Sequence, residues 1–466
     1  MTAALCFRPR LSTLLAWCVT TLGILAWAVT GTAAALPPHR DFTLENGLRV
    51  VLVQNAKAPV VTTHVWYRVG GADEDPGLTG VAHMLEHMMF QGTDDTAPGE
   101  FSRRIAENGG QDNAATSLDY TMYHVKLSAD RLPLALELEA DRMVDLALRQ
   151  EEFVQENKVV AEERRMRTDS SPAGRFGEAF RAMVYGEHPY GRPVIGHANH
   201  IRAITLDALS QWYRRYYAPN NAALVVVGAM DLDKTRTLVE RYFAPLQSRP
   251  LVAGSPWTPA PVPDHTQVLL RRDARVTLAS WTAAFHVPSL THPRDGDMSY
   301  TLDLLVTLLG NGGSSRLYRR MVVEEGLAVS VGAGYNGLSR DGDLVTVSAV
   351  PREGVTLEQL QQVVFAELRR LAQTPPEARE VARAVNALEA GRVFAMDDIH
   401  SQAWEIGRLL SLGLDWTRAY DYPQHLRQVT PAMIQEAARR FLDPNRAFVG
   451  QLLPLRDSRA KVEKGS

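Results

Sequence analysis

His83, Glu86 and His87 stand in the order His-Met-Leu-Glu-His within an apolar stretch. On a helix, residues three and four apart share a face. The two imidazoles would then project side by side, with Glu86 next to His87. Two such nitrogens suit a tetrahedral metal, and Zn2+ in a hydrolytic site takes three protein ligands and leaves the fourth position to water. A nearby carboxylate must take that water's proton, the role open to Glu86. A metal-held water that titrates near neutrality supplies hydroxide at physiological pH.

The third ligand has to come from another segment. Residues 156–165 (ENKVVAEERR) read as a helix with three acids. Glu156 and Glu163 are seven apart and share a face, whereas Glu162 is rotated away. Glu163 is assigned as the ligand and Glu156 as support for a ligating histidine or for the water, with Glu162 the rival for either role. Among the remaining histidines, His64 and His124 read as structural residues satisfied within the fold. His188 and His197 flank a Pro/Gly loop and are expected to serve its hydrogen bonding. The glycine loop Gly310-Asn311-Gly312-Gly313 lacks the Gly-Lys-Ser/Thr that a phosphate cradle needs.

The elements that must hold these residues follow from periodicity and turn chemistry. Residues 78–90 read as the helix of the motif, 101–108 as a second helix closed by Gly109-Gly110, and 132–148 and 151–166 as two more. Residues 42–54 read as a strand or hairpin, 59–69 as a strand, 113–127 as paired strands around Leu118-Asp119, and 222–228 as a buried strand. Helix 206–217 precedes the last of these. Residues 248–265 are rich in Pro, Ser and Gly and read as a linker. Beyond it the order recurs: strand 279–287, helix 298–309, the glycine loop, a helix from about 314, strands 329–335 and 342–350, helices 357–372 and 376–391, and strand 447–453. The expectation is an α+β chain of two homologous α/β-roll domains, each an antiparallel-rich sheet flanked by helices, related by duplication. The boundaries are 36–247 for a zinc-binding catalytic domain and 266–466 for a second domain. The second half has no His-x-x-Glu-His, so one Zn2+ per chain is expected.

Bulk properties exclude other classes. A chain of 466 residues needs more than one core. A net charge of −3 offers no basic field for nucleic acid. The two cysteines, Cys6 and Cys18, leave no disulfide framework, thiolate ligand or cysteine nucleophile in the rest of the chain. Arg8 and Arg10, the apolar stretch 11–29 and Ala33-Ala34-Ala35 read as a cleavable export signal spanning residues 1–35. That places the mature chain in the periplasm of a Gram-negative cell. The alternative is an uncleaved membrane anchor at residues 11–30.

Several stretches agree with the motif: GLTGVAHMLEHMMFQGT (77–93), GGQDNAATSLDYTMYHV (109–125), ENKVVAEERRMRTDSSP (156–172), HPYGRPVIG (188–196), YYAPNNAALVVVGAMD (216–231) and GNGGSSRLYRRM (310–321). In these the chain resembles the pitrilysin-type zinc metallopeptidases, whose inverted motif defines the inverzincins. Within them it is most similar to the branch of the mitochondrial processing peptidases and their bacterial relatives. The resemblance implies that His83, His87 and Glu163 hold zinc, that Glu86 is the general base and that Glu156 is the supporting acid. It implies further that Phe90 helps form the pocket just after the scissile bond, the bland reading being core packing. Asn113-Ala114-Ala115 corresponds to an edge strand onto which a peptide substrate adds as another strand, with a turn or strand cap as the alternative for Asn113. Two positions depart from the pattern. Where the family commonly has a substrate-contacting arginine and tyrosine, this chain has Val322 and Val329. Neither can donate a hydrogen bond to substrate. The expectation is a dimer, as a heterodimer with a homologous subunit that supplies the arginine and tyrosine or else as a homodimer using neighbouring residues. A catalytically silent structural or peptide-binding subunit is the rival function.

Overall fold

The computed structural model describes residues 36–251 and 257–455. The export signal and both cysteines lie outside the described residues. Eleven strands are present among them: β1 His39–Thr43, β2 Arg49–Gln54, β3 Val60–Tyr67, β4 Gln111–Thr116, β5 Thr121–Ser128, β6 Ala222–Gly228, β7 Gln267–Asp273, β8 Ser280–Val287, β9 Ala328–Gly334, β10 Asp343–Pro351 and β11 Phe448–Pro454. They form two sheets, β1-β2-β6-β3-β5-β4 and β7-β11-β8-β10-β9.

The two sheets share one plan. In the first, β2 runs parallel to β6, and β6-β3-β5-β4 are antiparallel. In the second, β7 runs parallel to β11, and β11-β8-β10-β9 are antiparallel. Strand β1 is the one addition, a hairpin partner of β2. The chain is therefore α+β with an internal duplication. The central strands are apolar and β-branched because both faces are covered; AALVVVG of β6 is buried at every residue.

In the first half, helices α1 Val81–Met88, α2 Glu100–Glu107, α3 Leu132–Val144 and α4 Gln150–Arg164 follow the pattern read from the sequence to within a few residues. Helix α1 packs Val81, Met84, Leu85 and Met88 into the core over one face of the first sheet. The opposite face of that sheet is covered by a helix of the second half, Ile399–Ser411, whose Ile399, Ala403, Ile406 and Leu410 meet Val51, Trp66 and Val225. The exchange is mutual. The helix Pro172–Tyr185 of the first half lies on the second sheet, with Phe176 and Phe180 against Gly450 of β11. Residues 36–455 thus interlock across the two sheets, and each half supplies part of the other's core. Among the described residues no helix is long and apolar enough to cross a membrane.

Candidate active site

Helix α1 ends the Gly/Asp/Pro loop that follows β3, and its start is fixed by backbone geometry. Gly80 caps it with φ +95°, and a Cβ there would lie 2.7 Å from the Ile195 carbonyl. Gly196 approaches from the other side, with φ +87° and its own Cβ direction blocked by Gly80. Only glycine tolerates both the left-handed conformation and the contact. The buried carboxylate of Glu74 accepts from the Gly80 and Ala82 amides at 2.9 and 2.8 Å, closing the N-terminal turn. Burial pushes its pKa up to about 8 although those two amides pull it down. Arg340 reaches from the second half to Asp73 and Asp119, at 2.8 and 3.0 Å, and so holds the loop from which α1 springs.

Helix α4 crosses α1 and brings its acids to the imidazoles. Glu163 Oε2 lies 3.7 Å from His83 Nε2 and 3.4 Å from His87 Nε2. One ligand atom from each of the three residues falls within 4.8 Å of the others. The other oxygen of Glu163 is held by Arg167 at 2.5 Å, one turn further along. Burial holds the imidazole of His83 well below its usual basicity, at about 3, with smaller contributions from His87 and Arg167. It is therefore neutral at pH 7, the form that ligates metal. Burial also works to lower His87, but Glu156, Glu86 and Glu163 outweigh it and raise its basicity. Glu156 Oε2 sits 3.1 Å from His87 Nδ1, and its other oxygen accepts from Gln91 Nε2 at 2.8 Å. That contact fixes the tautomer with Nε2 unprotonated and aimed at Glu163.

No hydrogen bond joins Glu163 to either imidazole; its oxygen simply points between two nitrogens. A tetrahedral ion with bonds of about 2.0–2.2 Å holds its ligands roughly 3.4 Å apart. The donor set and its spacing therefore fit Zn2+. Glu162, the rival, is half-exposed and gives both oxygens to Arg165, at 2.6 and 2.7 Å.

Glu86 faces the same cleft, of about 1110 Å³. Burial raises its pKa, partly offset by Thr116, whose hydroxyl donates to it at 2.5 Å. Thr116 ends β4, an edge strand of the first sheet, and Asn113, Ala114 and Ala115 on that strand line the cleft. The β4–β5 ladder closes where Ser117 N–H donates to Tyr120 C=O, so by alternation Ala114 turns its amide to the open edge. That amide donates to the Asn113 side chain at 2.8 Å. Phe90 both lines the cleft and packs on the core, its ring 5.4 Å from the buried Arg142 guanidinium.

Among the described residues, every one lining the cleft belongs to the segment 83–195 and none comes from the second half. Val322 is packed on the second core and Val329 is exposed on β9. The nearby polar residues are engaged locally: Arg316 with Glu367 and Glu380, Arg319 with Glu324, Arg320 with Glu325, and the Tyr335 hydroxyl with the Pro288 carbonyl. Sequence reasoning did not single out Glu74, Thr116, Arg167 or Arg340. Thr116 lies in a quoted stretch and Arg167 one turn after Glu163, but nothing in the sequence pairs Glu74 with a helix start or sends Arg340 across the chain.

Residues 49–198 match the family described as Insulinase (Peptidase family M16), and residues 203–388 match the Peptidase M16 inactive domain. The zinc protease PqqE of Helicobacter pylori is 36% identical over 338 residues, 72% of this chain and 75% of that protein. The chain belongs to peptidase family M16. The probable mitochondrial-processing peptidase subunit beta of Arabidopsis thaliana is 27% identical over 435 residues, 90% of this chain and 79% of that one. The crystal structure of a protease from Helicobacter pylori superposes with a TM-score of 0.84 at 30% identity, covering 90% of this chain and all of that one. The M16 relatives named zinc proteases agree with a metallopeptidase that uses zinc, and the first M16 match spans His83 and Glu163 alike.

Proposed function

We propose that this chain is a zinc endopeptidase that cleaves peptides or unfolded segments, with His83, His87 and Glu163 as the metal ligands and Glu86 as the general base. The observation that carries the reading is the Glu163 oxygen held between two imidazole nitrogens without a hydrogen bond to either. When bound there, one zinc ion per chain supplies Lewis acidity and lowers the pKa of water toward neutrality. The chain's own residues do the rest. Glu86 takes the water's proton and returns it to the leaving amine. Its raised pKa brings it closer to the operating range of such a base than an ordinary carboxylate. Thr116 orients it and ties it to β4. Glu156 keeps His87 in the ligating tautomer. The open edge of β4 accepts substrate backbone at Asn113, Ala114 and Ala115, which suits loose sequence preference, and Phe90 borders the pocket beyond the scissile bond.

Glu86→Gln tests the assignment, since the amide keeps the shape and loses the base. Zinc content is expected to stay at wild-type level while peptide hydrolysis falls at least 10²-fold. A variant that cleaves normally refutes the base, and one that cleaves normally without zinc refutes the metal reading as well.

The cleft is walled by one half only, with apolar Val159 and Met166 exposed along its rim. That supports a second subunit as the missing wall, a homologous chain carrying the arginine and tyrosine that Val322 and Val329 replace. Full peptidase activity of this chain purified as a monomer defeats the two-chain reading and leaves the zinc assignment standing. The leader-like residues 1–35 support a periplasmic site of action.

A further inference from the structure

On the face of the first sheet turned away from the cleft, three histidines converge. His64 of β3 and His124 of β5 are direct cross-strand partners. His400, in the first turn of the helix Ile399–Ser411, descends on both from the second half. Ring centroids lie 4.8 Å apart for His64 and His400, 4.5 Å for His124 and His400, and 5.3 Å for His64 and His124. One nitrogen from each falls within 4.8 Å of the others, close enough for one ion to draw on all three. The expectation that His64 and His124 are satisfied within the fold is not met. His64 is fully buried with neither ring nitrogen hydrogen-bonded, and His124 Nδ1 is buried without a partner too. Orphaned buried ring nitrogens are rare, because each loses its water and gains nothing.

We propose that His64, His124 and His400 form a second metal site, for a divalent transition ion of the Zn2+ class. Imidazole is the ligand that such ions share. Burial keeps all three rings less basic than usual, so they are neutral and ready to ligate. His400 is only partly buried, so the cluster is reached by solvent on that side. Asp398, beside His400, offsets part of the cation's charge, and Lys126 opposes it. The helix that carries His400 is pressed hard on the sheet: a Cβ on Gly407 would lie 1.9 Å from the Trp66 indole nitrogen. The bound ion would clasp the sheet of the first half to a helix of the second and has no part in peptide cleavage.

The test is metal stoichiometry of the full chain, saturated with Zn2+ and freed of excess by gel filtration. Two ions per chain are expected. His400→Ala brings the count to one, His87→Ala also to one, and the double variant to none. In the His87→Ala chain, Zn2+ is expected to raise the melting temperature, and His400→Ala abolishes that rise. Should His400→Ala fail to fold, Co2+ titration of His87→Ala with and without His124→Gln gives the same answer through the visible absorption of tetrahedral Co2+. One ion per chain in the unsubstituted protein that His87→Ala removes, or a count that stays at two in His400→Ala, overturns the proposal. Either result leaves the catalytic assignment untouched.

Discussion

Removing the Glu156 carboxylate isolates the part of metal affinity that comes from behind the ligands. It accepts from His87 Nδ1 at 3.1 Å and from Gln91 Nε2 at 2.8 Å, and it is mostly shielded from water. Glu156→Ala leaves the His87 Nδ1–H without an acceptor and lets the ring turn. Losing such a partner typically weakens metal binding 10- to 100-fold, which is about 1.4–2.8 kcal/mol. Glu156→Gln retains an acceptor oxygen but not the charge, so its loss should sit near the lower end, roughly tenfold. Competition against a chromophoric chelator measures both affinities, and hydrolysis at saturating Zn2+ should recover most of the wild-type rate. The pH dependence adds a second check. Glu156 raises the basicity of His87, so protons compete with metal more strongly in the wild type. The gap between wild type and Glu156→Ala should therefore narrow as pH falls. If Glu156→Ala binds zinc like the wild type at neutral pH while Glu163→Ala does not, the supporting role is wrong.

Three further outcomes follow from the same geometry. Gly80→Ala puts a Cβ 2.7 Å from the Ile195 carbonyl at φ +95°; a loss of about 2 kcal/mol or more in stability is expected, read by denaturant titration, together with weaker zinc binding. Glu74 has its pKa raised by burial to about 8 from an ordinary 4.5, so the folded chain holds the proton that the unfolded chain has lost. Its contribution is full below the unfolded value and falls away as pH rises toward 8, and Glu74→Gln should flatten the decline of melting temperature over that window. Ala114→Pro removes an amide that faces the open edge rather than β5. The fold should tolerate it, zinc content should be unchanged, and KM for peptides should rise, whereas an unchanged KM argues against strand addition at β4.

Most of the site was legible because it is local. His83, Glu86 and His87 lie within five residues, and Glu156 and Glu163 lie two turns apart on one helix, so helical geometry alone aligned each group. What joins the two groups is the crossing of α1 and α4, which no spacing encodes; the family resemblance supplied it. The strands around the site were read to within a few residues, since β3 and β6 are runs of buried β-branched residues. Strand β7 went unread because QVLLRRD turns Val268 and Leu270 to the solvent, which gives no inward stripe to detect. Helices Pro172–Tyr185 and Ile399–Ser411 were also missed, and both bury their faces against the other half's sheet. Their partners are more than a hundred residues away. His64 and His124 were read as satisfied within the fold, and the absence of partners for their ring nitrogens was not legible because His400 arrives from that unread helix.

Of the two copies, the first carries the candidate metal motif and the second has no His-x-x-Glu-His. In each half a helix follows the third strand of the shared plan: α1 after β3, and Met298–Gly310 after β8. Helix α1 is short, and its His83, Glu86 and His87 line the cleft that α4 leaves open. Its counterpart is buried along nearly its whole length, packed by the helices Ala378–Asp397 and Pro431–Phe441. Its one ionisable carboxylate, Asp303, accepts from the Tyr422 hydroxyl at 2.9 Å, and burial pushes its pKa up to about 7. A hydrolytic metal needs several ligands as well as an open coordination position, and this helix offers one carboxylate, already engaged by Tyr422. The second copy supports the first. Its helix Ile399–Ser411 covers the back of the first sheet and its Arg340 holds the loop before α1.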